Sequence, residues 1–184
     1  MPTLHEIFSF VCGQQHNWCV GGEELPFCQR CTGLYVGAVP ALLLYALFRP
    51  KATNRMLWAH GMFLLLMIPF GYHLVPQTGV VRTLTGQIFA IGLVYYLTLL
   101  SSERWSLYRE LSRTAEIAYF VACGASLALL LAAVTWGGIR TNTVLSWAGF
   151  AGLVIYAAMV LVSVLLLLAY SGQLLRRLIR PAQS

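Results

Sequence analysis

Residues 12–37 read CGQQHNWCVGGEELPFCQRCTGLYVG and hold four of the chain's five cysteines. The stretch closes on Cys28-Gln29-Arg30-Cys31 and passes directly into an apolar run that ends at Phe48. A cysteine-rich segment joined to a hydrophobic helix is the pattern of a membrane protein with a small site at one surface. The remainder of the chain agrees. Of 184 residues, 59% are hydrophobic and only 10% are charged, whereas soluble domains are about one quarter charged. Mean hydropathy is +0.73.

Five segments are predicted to cross the bilayer: Thr32–Phe48, Met56–Val75, Leu84–Leu100, Ala115–Trp136 and Val144–Tyr170. A helix at 1.5 Å per residue needs about 20 apolar residues to cross about 30 Å of hydrocarbon. The expected fold is therefore an all-α membrane bundle of five transmembrane helices with a small cysteine-rich extracytoplasmic head. Residues 1–31 form that head, 32–172 the bundle and 173–184 a basic cytoplasmic tail.

Orientation follows from the basic residues in alternate loops. Arg49, Lys51, Arg55, Arg104, Arg109, Arg113, Arg176, Arg177 and Arg180 fall on one side, and only Arg30, Arg82 and Arg140 on the other. The richer side is cytoplasmic, which puts the C-terminus inside the cell and the N-terminus outside. The cysteines then face an oxidising compartment.

Small residues at four-residue spacing predict close helix packing at Gly33/Gly37, Gly86/Ala90 and Ala148/Gly152, and the same faces offer docking for other membrane subunits. Pro40 and Pro69 predict kinks. Ser101–Arg113, with Trp105, Leu107, Tyr108 and Leu111 among charges, predicts a helix lying on the cytoplasmic surface. Cys123 is expected to serve as a small apolar residue.

Cys12, Cys19, Cys28 and Cys31 are spaced C-x6-C-x8-C-x2-C. A Cys-x-x-Cys turn presents two sulfurs to one tetrahedral ion, and an upstream pair completes four ligands. The expected ligands are Cys12, Cys19, Cys28 and Cys31, with His16 as the alternative donor and zinc as the ion. A head of about 30 residues is too small for a core of its own, so it needs a metal, disulfides or a docking surface. Two structural disulfides use the same sulfurs. So does a redox reading, in which Cys28 and Cys31 at a helix start exchange disulfides and pass electrons to a membrane quinone.

The run Pro26-Phe27-Cys28-Gln29-Arg30-Cys31-Thr32-Gly33, followed by Leu34-Tyr35-Val36-Gly37, resembles the signature of the domain of unknown function 2085 family. These are small bacterial and archaeal membrane proteins. Cys12 stands where the family has its first cysteine, and Gly13 where it has a histidine, a role open to His16 or Cys19. Pro69 matches a helix-two proline, and His73 stands at the place of an aspartate. Arg82, Thr85 and Gly86 match a later block. The resemblance spans about residues 12–90, implies no particular activity and points toward a metal.

The block Pro69–Arg82 joins the second and third spans on the outer side, and its His73, Gln77 and Arg82 are expected to line a cofactor pocket with Cys28 and Cys31. Glu23 and Glu24 are expected to pair with Arg30 or Arg82. His60 is expected at the cytoplasmic interface. Haem is excluded, because His60 and His73 share one helix and the other histidines, His5 and His16, lie in the head. No Walker loop, dinucleotide fingerprint or HExxH motif is present. Nucleic-acid binding is excluded by an outward head carrying Glu6, Glu23 and Glu24 against one arginine. A transporter is disfavoured by the lack of a buried acid in the spans.

The leading expectation is a non-enzymatic membrane protein with a metal-held head, serving as an accessory subunit of a larger membrane complex. The alternatives are a thiol–disulfide oxidoreductase and a disulfide-held head.

Overall fold

The computed structural model describes residues 4–9, 12, 16–72, 74–105, 109 and 111–179. The elements in chain order are helix α1 (Leu4–Ser9), strands β1 (Asn17–Val20) and β2 (Glu23–Cys28), then helices α2 (Gln29–Phe48), α3 (Asn54–Leu65), α4 (Met67–Gly71), α5 (Gly79–Trp105), α6 (Arg113–Trp136) and α7 (Ile139–Ile179). Among the described residues, four helices are long and apolar enough to cross a membrane: Gln29–Phe48, Gly79–Leu99, Arg113–Trp136 and Ile139–Ser171.

The segment expected as a second span is divided. Pro69 has no N–H to donate to the Leu65 carbonyl, and the helix breaks at Leu66 into α3 and α4. The pair still reaches both ends of the bundle. Tyr96 Oη, late in α5, donates to the Leu57 carbonyl at 2.7 Å. At the other end Arg30, the second residue of α2, donates to the Phe70 carbonyl at 2.7 Å.

The small-residue faces are spent inside the chain. A Cβ on Gly33 would lie 2.0 Å from the Thr83 carbonyl oxygen, and one on Gly86 would lie 2.2 Å from that of Arg30. Helices α2 and α5 thus cross with backbones touching. On α7, Gly152 meets the Tyr35 carbonyl, while Tyr156 Oη donates to the Leu34 carbonyl at 3.3 Å. Ala90 is fully buried. Gly33, Gly86, Ala90 and Gly152 thus serve packing within the chain.

The described residues of Ser101–Arg113 do not form a helix of their own. Helix α5 continues to Trp105, and Arg109 instead bridges to Pro50, with its N–H donating to the Arg49 carbonyl at 2.7 Å. Residues 106–108 and 110 lie outside the described residues.

His60 is buried, not interfacial. It is 0% exposed and stacks on Tyr95 with ring centroids 4.0 Å apart. Its Nδ1 lies 2.8 Å from the Met56 carbonyl, which can only accept, so Nδ1 carries the proton. Nε2 then accepts from Tyr119 Oη at 2.9 Å. The ring's polar atoms are paired within the fold, which removes the cost of keeping it from water. Cys123 is buried as expected of an apolar residue.

Candidate metal centre

The head is a β-hairpin docked on the bundle. Gly21 and Gly22 have φ of 63° and 89°, the pair of positive values that a two-residue type I′ turn needs and that glycine adopts without strain. The turn pairs Val20 with Glu23 and Cys19 with Glu24. Asn142 of α7 grips it, its Nδ2 donating to the Val20 carbonyl at 3.3 Å and the Glu23 carbonyl at 2.8 Å. Val20, Leu25 and Phe27 are almost fully buried, so the hairpin borrows its core from the helices beneath.

This docking places the sulfurs. Strand β2 delivers Cys28 to the start of α2, where it caps the helix and its Sγ accepts from the Cys31 N–H at 3.5 Å. Cys31 therefore lies in the first turn of the helix, not ahead of it. Thr32 Oγ1 donates to the Cys28 carbonyl at 3.1 Å. Cys12 arrives from α1. Phe8 packs on Phe27 with centroids 4.8 Å apart, and the Cys12 N–H donates to the Phe8 carbonyl at 2.7 Å. The strand end is pinned from α5: Trp18 Nε1 donates to Thr83 Oγ1 at 2.8 Å, and that hydroxyl lies 2.9 Å from the Gln29 carbonyl.

The sulfurs of Cys12, Cys28 and Cys31 lie within 4.8 Å of one another. Directly beneath them Thr32–Val36 forms a π-turn, a distortion that recurs at functional sites.

Residues 12–96 match the family of predicted membrane proteins known as DUF2085. The comparison with curated proteins and that with solved structures gave no match. The DUF2085 segment thus covers the hairpin, all three gathered cysteines and helices α2 to α4, ending within α5 at Tyr96. Helix α7 lies beyond the segment, yet supplies the asparagine that holds the hairpin.

The site gathers three of the four expected cysteines. Cys19 is exposed on β1 and stands outside the group, and so does exposed His16. None of the five cysteines is disulfide-bonded in this structure. His73 lies outside the described residues. Gln77 Oε1 accepts from Arg30 at 2.7 Å, and both side chains donate to the Phe70 carbonyl. This ties α2 to the end of α4 and engages Gln77, one of the residues expected to line the pocket. Arg82 Nε is buried and unpartnered among the described residues. The expected pairing of Glu23 and Glu24 with Arg30 is replaced by these bonds to Phe70 and Gln77. Trp18, Thr83 and Phe8 carry no motif. Their signal was a lone indole and two ordinary residues whose roles exist only once the hairpin meets α5.

Hydrogen bonding to the Cys12 thiol, and burial, hold the Cys28 thiol above its ordinary pKa, although its contact with Cys31 works the other way. Three adjacent thiolates repel strongly when bare, and a divalent cation reverses that balance. The donors fit such an ion. Zinc at about 2.3 Å from each sulfur sets tetrahedral thiolates about 3.8 Å apart, inside the 4.8 Å that encloses the three sulfurs.

Proposed function

We propose that this chain is a five-span membrane protein in which Cys12, Cys28 and Cys31 hold one zinc ion on the extracytoplasmic side, and that the ion's role is structural. The observation that carries this reading is the convergence of three thiol sulfurs from three separate elements. The hairpin already docks through Asn142 and Trp18, so the ion's task is to fasten α1 to the start of α2. Three protein ligands leave the fourth tetrahedral position for water or an outside donor.

The α3–α4 pair supports the fifth span. Its 18 residues, from Asn54 to Gly71, cover about 27 Å at 1.5 Å per residue. Five crossings agree with the division of basic residues between the loops and leave the basic C-terminal end in the cytoplasm.

Elemental analysis of the purified full-length protein tests the reading. Wild type and Cys19→Ser are expected to carry about one zinc per chain, while serine at position 12, 28 or 31 is expected to remove most of it. Three mutually reachable thiols also suit disulfide exchange, with Cys28–Cys31 as the reactive pair, Cys12 as the resolving thiol and quinone as the electron acceptor. Metal-free wild type that exchanges disulfides with a partner thiol, and loses this in Cys28→Ser, moves the account to that reading.

A further inference from the structure

Helices α6 and α7 leave a cleft of about 270 Å3 between them. Leu129 and Ala133 form one wall, Val144 and Ala148 the other, and Val39 and Pro40 of α2 the floor. The rim residues Leu129 and Val144 are 72% and 65% exposed, so the mouth opens sideways to the hydrocarbon. An apolar cavity of about 150 Å3 already holds a benzene-sized guest, and this one takes a longer piece of chain.

Above the cleft the chemistry changes. Arg140, Val144 and Ala148 follow at four-residue spacing and share one face of α7. Arg140 is exposed and stands one turn above the apolar wall. On α6, Trp136 follows Ala133 by three residues and is 85% exposed, as expected of an indole at the headgroup level. The hairpin covers a different face of α7, since Asn142, which binds it, is turned about 200° from Arg140. The cleft thus runs from an apolar slot up to a cation and an interfacial aromatic ring.

We infer that this cleft binds one acyl chain of an anionic phospholipid whose phosphate pairs with Arg140. The chain fills the slot between Ala133 and Ala148, and Trp136 packs at the glycerol level. Charge at Arg140 selects the headgroup, and the slot supplies the affinity for the tail.

The test uses full-length protein in nanodiscs containing equal amounts of phosphatidylglycerol and phosphatidylcholine with identical chains, read by native mass spectrometry. One retained lipid per chain is expected, with phosphatidylglycerol favoured about five-fold, the scale of one basic residue at an anionic surface. Arg140→Gln is expected to abolish the preference and Arg140→Lys to keep it. Ala133→Leu fills the slot and is expected to reduce retention of both lipids while the thermal midpoint is held. Should that variant not fold, Ala148→Leu fills the slot from the other wall. Chainless glycerophosphoglycerol is expected not to displace the lipid. Equal retention of the two lipids by wild type, an unchanged preference in Arg140→Gln, displacement by the chainless headgroup, or full retention in a folded slot-filling variant overturns the inference.

Discussion

Gly33→Ala tests how closely the metal site depends on the α2–α5 crossing. The added Cβ would stand 2.0 Å from the Thr83 carbonyl oxygen and 2.7 Å from the Gln87 nitrogen. Both are backbone atoms and cannot rotate away. Ordinary contact begins near 3.4 Å, so the helices must part by about 1.4 Å at this level. Overpacking of this kind costs about 1–3 kcal/mol. Gly124→Ala is the internal control, since nothing lies within 4 Å of its Cβ position. Loss of glycine's backbone freedom should stabilise that helix by about 0.5–1 kcal/mol. At about 2–4 °C per kcal/mol for a chain of this size, the two variants should differ in Tm by roughly 3–16 °C. The assay is thermal unfolding in detergent, followed by tryptophan fluorescence, with maleimide labelling of Cys28 as a second readout. Parting the helices also strains the bond from Trp18 to Thr83, so Cys28 should label faster in Gly33→Ala. Equal Tm values for the two variants, with equal labelling, would refute the close crossing.

Two further outcomes follow from the same structure. Tyr119→Phe keeps the aromatic contacts but leaves the Nε2 atom of buried His60 without its donor, which should cost about 1–3 kcal/mol. Thermal unfolding should show the loss with metal content unchanged, and an unaltered midpoint contradicts the assigned hydrogen bond. Chelated and zinc-loaded protein should respond oppositely to pH. In the chelated form Cys28 is held above its ordinary pKa, so folding favours the neutral thiol. That stability is fully present below the unfolded value of about 8.5 and is lost as pH rises toward the folded value. In the loaded form protons compete with zinc, so stability is lost as pH falls. Parallel slopes in denaturant titrations across this range contradict a thiolate-bound ion.

The sequence was most legible where local chemistry decides. Cys28-x-x-Cys31 announces two sulfurs on one turn, and Gly33/Gly37 and Gly86 announce a close crossing. Pro69 announced the break at Leu66. The hairpin also had a signal, Gly21-Gly22 between two short runs, which is the turn chemistry of a type I′ connection. Reading it would have separated Cys19 from the group, because β1 carries that residue on its exposed side. Spacing offered Cys12 and Cys19 alike, and what separates them is three-dimensional: Cys12 reaches the site through the packing of Phe8 on Phe27. His60 was misplaced for a similar reason: its partners Tyr95 and Tyr119 come from helices far along the chain, and a lone histidine near a loop reads as interfacial until they are present.

The proposed centre has three thiolates sharing one ion. Zinc K-edge X-ray absorption on the purified full-length protein tests it most directly. Three sulfur scatterers at about 2.3 Å with one lighter ligand are expected, unchanged in Cys19→Ser. Protein that binds no zinc when it is supplied, or a spectrum fitted by nitrogen and oxygen alone, contradicts it.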